Sequence, residues 1–271
     1  MSSIAELVSK YARFGYPLAT SRNMAAEEII LRKISASDMV DQVVLKGGIV
    51  MFNLTHNFRR ATRDIDFDFI RYSIDESSIR TFIRKLNQVK DGLDVEIQGP
   101  IKQLNQEDYQ GVRIHVLISD ANNDVLSLKM DIGVHVYLDI DQQNVSFSFL
   151  DGGESVFLQV NPPEQIFAEK MISLARLGPV STRYKDIYDM FYLSKVLGLD
   201  SKKLKSIFTS FFNRSSRGPH DFKALRDRIS STLDSQMFEK EAKDVTNRWL
   251  NVGYEEAKEM ILSTLYGLLS D

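Results

Sequence analysis

The sequence predicts an α+β fold, a mixed or antiparallel sheet with flanking helices, followed by a helical C-terminal domain. Two observations carry this expectation. Between residues 43 and 149, short apolar runs alternate residue by residue with polar ones, the period of half-buried strands. From Pro162 onward that alternation fades, and apolar residues recur at helical spacing to residue 269. Asn161-Pro162-Pro163 separates the two regimes and is the expected boundary between domains 1–161 and 162–271.

Taken in order, residues 3–14 and 23–36 read as helices, the second capped by Ser21 and given an apolar face by Ile29, Ile30, Leu31 and Ile34. Val43-Val44-Leu45 leads into Lys46-Gly47-Gly48, after which Ile49 to Leu54 starts a helix. Thr62 to Phe69 alternates as a strand, with Asp68 at its solvated end. Ser73 or Asp75 caps a helix running to about residue 89. Strands follow at Val95–Gln98, Val112–Ser119, Val125–Leu138 and Val145–Phe149, with a turn at Asn122-Asn123-Asp124. Short strands adjacent in sequence are expected to pair antiparallel. The helical half divides into 164–177, 184–197, 201–213, 220–233, 237–250 and 254–269.

Composition narrows the function. Hydrophobic residues make up 43% of the 271, enough for a substantial core. There are no cysteines, which removes disulfides, thiolate metal sites and cysteine nucleophiles and fits a reducing cytoplasm. The four histidines show no metal-ligand spacing on one helix face, and no Gly-x-Ser-x-Gly elbow occurs. The opening residues lack the plan of a signal peptide, and no apolar run approaches the ~20 residues that span a bilayer. A net charge of −3 leaves nucleic-acid contact to a local basic patch. The most basic stretch, 202–228, interleaves Lys202, Lys203, Lys205 and Arg217 with Phe208, Phe211 and Phe212. It reads as a helix core with solvated lysines, or alternatively as an RNA-backbone patch.

The chemistry concentrates in Asp64-Ile65-Asp66-Phe67-Asp68. On a strand, residues two apart share a face, so Asp64 and Asp66 project together while Ile65 and Phe67 bury. Strand interiors are poor in Asp, and paired carboxylates repel unless a cation lies between them. Asp131 sits mid-strand among apolar neighbours, and a neighbouring strand would bring it beside the pair. Three carboxylates suit one or two Mg2+ ions, which take oxygen ligands and bridge phosphates. A glycine pair opening a helix suits a phosphate. In the helical half, Lys170 would reach a triphosphate as a mobile point charge. Arg183, Lys185 and Asp189 read as an ion-pair face, and Asp186 as a first-turn acid favoured by the helix dipole.

Together these residues resemble the nucleotidyltransferase superfamily with the polymerase-beta-like minimal fold. More closely, they resemble the AbiEii/AbiGii toxin family. The matching motifs are Leu45-Lys46-Gly47-Gly48, the segment from Arg60 to Phe67, Lys129-Met130-Asp131-Ile132, Glu164 to Lys170, and Arg183 to Asp189. The resemblance implies an NTP-using toxin of a toxin–antitoxin or phage-abortive-infection system, restrained by a separately encoded antitoxin. Its acceptor would be RNA, such as a tRNA end, or protein. It implies Asp64, Asp66 and Asp131 as ligands of Mg2+, or of Mn2+ in its place. It implies Lys46, Gly47, Gly48 and Lys170 at the nucleotide, and Asp186 as the catalytic aspartate of the last motif. Either Asp131 or Asp186 would assist deprotonation. One departure is Ile49, where the family usually has Thr or Ser, so a hydroxyl contact to the triphosphate is missing. The alternatives are a non-catalytic NTP-binding regulator on the same fold and a two-metal nuclease.

Overall fold

A computed structural model describes residues 3–62, 64–106, 109–150, 154–214 and 218–270. Arg63 of the second motif and Arg217 of the basic stretch lie outside the described residues. The chain forms two compact units, Met1–Asn161 and Pro162–Asp271.

The first unit opens with α1 (Ile4–Arg13), where Ser3 and Glu6 form a reciprocal capping box. Next comes α2 (Leu18–Ala36), which starts five residues before the expected point. Pro17, not Ser21, stands at its N-cap, and the Ser21 hydroxyl instead donates to the Tyr16 carbonyl from inside the helix. The fixed φ of proline makes it a ready helix starter. The elements β1 (Val43–Lys46), α3 (Gly47–Thr55), β2 (Asp64–Phe69) and α4 (Glu76–Leu86) follow. Asp75 caps α4 by accepting from the Ser78 amide, while Ser73 supports it by donating to the Asp75 carboxylate.

The rest of the sheet is β3 (Leu93–Ile97), β4 (Lys102–Gln106), β5 (Tyr109–Asp120), β6 (Val125–Val134), β7 (Gln143–Phe147) and β8 (Val156–Val160). The order is β3-β5-β6-β2-β1-β8-β7, with β4 paired to β5. The sequence-adjacent strands do pair antiparallel, as at β5–β6 and β7–β8. Two central pairings, β2–β6 and β1–β8, are parallel, because long crossovers join those strands. β6 ends four residues short of the expected Leu138, where the His135 amide donates to the Phe69 carbonyl and the chain leaves the ladder.

One face of the sheet is apolar. Ile65, Phe67 and Phe69 of β2 and Met130 and Ile132 of β6 are fully buried. Phe82 of α4 closes on Phe67 and Phe69 with ring centroids 5.6 and 5.2 Å away. Each such ring stabilises the fold by roughly 1.5–3 kcal/mol relative to exposure. A one-residue slip would turn these rings outward, so their burial pins the register that aims Asp64, Asp66 and Asp131 to the opposite face.

The second unit contains α5 (Pro163–Leu177), α6 (Lys185–Tyr192), α7 (Ser201–Arg214), α8 (Phe222–Leu233), α9 (Gln236–Ala242) and α10 (Tyr254–Ser270). A π turn, Leu193–Leu197, extends α6. The expected 237–250 helix stops at Ala242, and Trp249 of the following turns is buried. Phe208, Phe211 and Phe212 are also buried, and Phe208 and Phe212 pack on Phe222 with centroids 5.8 and 5.0 Å away. These rings form helix core and are closed to base stacking. Lys203 pairs with Glu164, and Arg226 with Asp227.

Candidate active site

The candidate site is built on the polar face of β2 and β6. Parallel pairing places Asp64 beside Lys129, Asp66 beside Asp131 and Asp68 beside Gly133. Carboxylate oxygens of Asp64, Asp66 and Asp131 all lie within 4.8 Å of one another. The sequence expected this convergence, and two parallel strands produce it.

The three acids differ in their surroundings. Asp64 is ion-paired to Lys129, and its Oδ1 accepts from Thr62 Oγ1 at 3.0 Å. Burial pushes its carboxyl up, but the Lys129 and Thr62 hydrogen bonds and the charges of Lys129 and Arg113 outweigh this and hold it below the usual value. Asp131 takes two parallel bonds from Arg113, both 2.7 Å, in a bidentate pair. Among the described residues, Asp66 has neither kind of support. Burial, then the charges of Asp64 and Asp131, push its pKa up to about 6 despite Lys46 and Lys129 nearby. The cluster therefore carries more negative charge than its cationic neighbours neutralise. An all-oxygen donor set of this kind fits a hard divalent cation such as Mg2+.

The glycine pair is fitted to this cluster. Gly47 has φ +68° at the start of α3, and a Cβ there would stand 2.5 Å from Asp66 Oδ2. A side chain at Gly48 would strike Thr62 at 2.8 Å. Both glycines are thus required for the helix start to approach the Asp66 carboxylate and the loop entering β2. The first-turn amides of α3, which lack intrahelical partners, lie at this start. Ile49 is buried. Lys46, expected at the nucleotide, donates from Nζ to Asp68 Oδ1 at 2.6 Å. Asp68 is accordingly no solvated strand end: it is buried against this lysine.

Lys170 and Asp186 belong to the second unit. There Lys170 is buried and tied rather than mobile, 2.6 Å from Asp186 Oδ1 and 2.8 Å from Asp189 Oδ2. Asp186 and Asp189 are three apart on α6 and so share a face toward α5. Asp189 is 0% exposed and also accepts from the Trp249 indole at 2.9 Å. The expected surface ion-pair face is therefore largely a buried cluster, with Arg183 at its rim, 3.8 Å from Asp186 Oδ2.

Two charged neighbours were not singled out in the sequence. Arg113 was legible in retrospect: it lies as far before the Asn122 turn as Asp131 lies after it, so a hairpin must place them opposite each other. Glu27 of α2 is buried with Oε1 unpartnered, and burial and then the charge of Asp64 raise its pKa well above normal. Nothing in the periodicity of α2 marks it.

A mixed sheet that carries carboxylates on two parallel strands beside a glycine-opened helix defines a protein of the nucleotidyltransferase class. The chain belongs to the nucleotidyl transferase AbiEii toxin family of type IV toxin–antitoxin systems, whose family model matches residues 29–262. No curated protein matches the chain. Among the described residues, no helix is long and apolar enough to cross a membrane.

Proposed function

We propose that this chain is a divalent-metal-dependent nucleotidyltransferase toxin that moves NMP from an NTP to a hydroxyl of RNA or protein in the cytoplasm. The observation that carries this reading is the convergence of Asp64, Asp66 and Asp131 within 4.8 Å on one sheet face. In the reaction, the acceptor oxygen bonds to the α-phosphorus, the α–β phosphoanhydride breaks, and pyrophosphate leaves with the bond electrons. The hydroxyl proton passes to a carboxylate, Asp131 or Asp186. Asp64, Asp66 and Asp131 would hold Mg2+, which when bound supplies positive charge at the α-phosphate.

The chain's own residues prepare this arrangement. Lys129 and Arg113 fix the orientations of Asp64 and Asp131, so little reorganisation is left for binding. Gly47 and Gly48 open α3, whose amides and dipole would receive phosphate oxygens. The buried Ile49 leaves that contact to backbone alone. Lys170 would act mainly by holding Asp186 in place. A separately encoded antitoxin would restrain the activity.

The test combines purified protein, Mg2+ and each α-labelled NTP in turn with total cellular RNA and protein extract. Wild-type protein is expected to place label on one acceptor class, and Asp64→Asn to lose about 10²–10³-fold of the rate. Label transfer that persists in Asp64→Asn would reject the assignment. NTP binding without transfer would favour the regulator, and RNA loss without NTP would favour the nuclease.

A further inference from the structure

A cavity of about 800 Å3 lies in the first unit, apart from the carboxylates. Its lining includes Asp41, which precedes β1, and Ile70 and Arg71, which follow β2. The carboxylates stand toward the other end of β2. From Asp66 to Ile70 a strand advances about 13 Å, at about 3.3 Å per residue. The volume falls within the range of small-molecule sites.

Five polar side chains of the lining, Asp41, Arg71, Asp141, Asn144 and Gln159, make no hydrogen bond or ion pair with a described residue. Asn144 and Gln159 are direct cross-strand partners on β7 and β8, so their carboxamides project side by side. Phe157, two residues from Gln159 and on the same face, leaves 58% of its surface exposed at the cavity. Arg71 holds φ +51°, a conformation that a non-glycine residue rarely adopts and that concentrates at ligand sites. The wall between His135 and Gln142 is pinned, with His135 Nε2 3.0 Å from the Tyr137 carbonyl and 3.1 Å from Gln142 Nε2.

These groups specify a ligand chemistry. An exposed ring offers a stacking platform, and paired carboxamides offer a donor and an acceptor to the edge of a base. Two carboxylates against one guanidinium disfavour a phosphate inside the cavity and favour an exocyclic amino group there. We propose that this cavity binds an amino-bearing nucleobase, stacked on Phe157 with its edge on Asn144 and Gln159, at a site separate from the carboxylate cluster. The base would come from a free nucleotide or from single-stranded RNA. The proposal does not depend on the transferase reading.

Calorimetric titration of the full chain in EDTA with adenosine, cytidine, inosine and uridine tests it. At least one of adenosine and cytidine is expected to bind saturably without divalent ions, and about tenfold more tightly than the analogue lacking the amino group. Phe157→Ala and Asn144→Ala, both at exposed positions, are expected to lose about tenfold in affinity, while Asp64→Asn binds as wild type. Competition by AMP or CMP alone would name a free nucleotide as the source. Stronger competition by a single-stranded oligoribonucleotide would name RNA. Absence of saturable binding, equal affinity for inosine and uridine, or unchanged affinity in both cavity variants would overturn the proposal.

Discussion

Asp66→Asn is expected to lose about 10²–10³-fold in transfer rate and, at the same time, to make the cation-free protein more stable. The two effects share one cause. In the native protein burial and the charges of Asp64 and Asp131 raise the Asp66 pKa from 3.8 to about 6. Between about pH 4 and pH 6 the native state keeps a proton that the unfolded chain has released. Stability of the cation-free protein therefore falls as pH rises through that window, and above about 6 the whole penalty is present. Two pKa units correspond to about 2–3 kcal/mol. Asn carries no charge and avoids this cost. Thermal unfolding at pH 7.5 in EDTA should accordingly place Tm of Asp66→Asn above wild type by several degrees, with the gap closing toward pH 4. If the cluster holds Mg2+ as proposed, added Mg2+ should raise Tm of wild type and leave the variant unmoved. A wild-type Tm that equals or exceeds the variant's in EDTA would remove the strained-carboxylate account of Asp66.

Lys170→Met is expected to carry the largest stability loss, about 3–5 kcal/mol, because it takes the ammonium from between two buried carboxylates. Asp189 is fully buried and would keep the Trp249 indole as a donor but lose the ion pair to Lys170. Asp189→Asn in the same chain should restore part of the loss, since the buried charge is then removed as well. The readout is unfolding of nucleotide-free protein in urea. A lysine that served only to contact a nucleotide would leave that midpoint unchanged, and such a result would contradict the positioning role.

Much of this was readable from residue order because it follows from alternation. Ile65, Phe67 and Phe69 fixed which face of β2 is buried, and therefore that Asp64 and Asp66 share the other. The apolar alternation of Leu126 to Ile132 did the same for Asp131. The two parallel pairings were not readable, because they depend on how crossovers return the chain rather than on any local pattern. β4 and β8 escaped for different reasons. Lys102-Gln103-Leu104-Asn105-Gln106 is almost wholly polar and is a strand only by pairing to β5. Val156 to Val160 is short and lies at the end of the strand-rich region. Partners were the least legible feature. Lys170 looked like a free charge on a helix, and only the packing of α5 on α6 shows the two aspartates that hold it. Asp68 looked solvated until Lys46 was placed across the ladder from β2.

The claim on which the account rests is that Asp64, Asp66 and Asp131 together form one divalent-cation site. Electron paramagnetic resonance of Mn2+ titrated into the protein, with and without a non-hydrolysable NTP analogue, measures this directly. Saturable Mn2+ binding in wild type, displaced by Mg2+ and lost in Asp64→Asn and Asp66→Asn with the fold retained, is the expected result. Binding that survives both substitutions, or its absence from wild type even with the analogue present, would contradict the account.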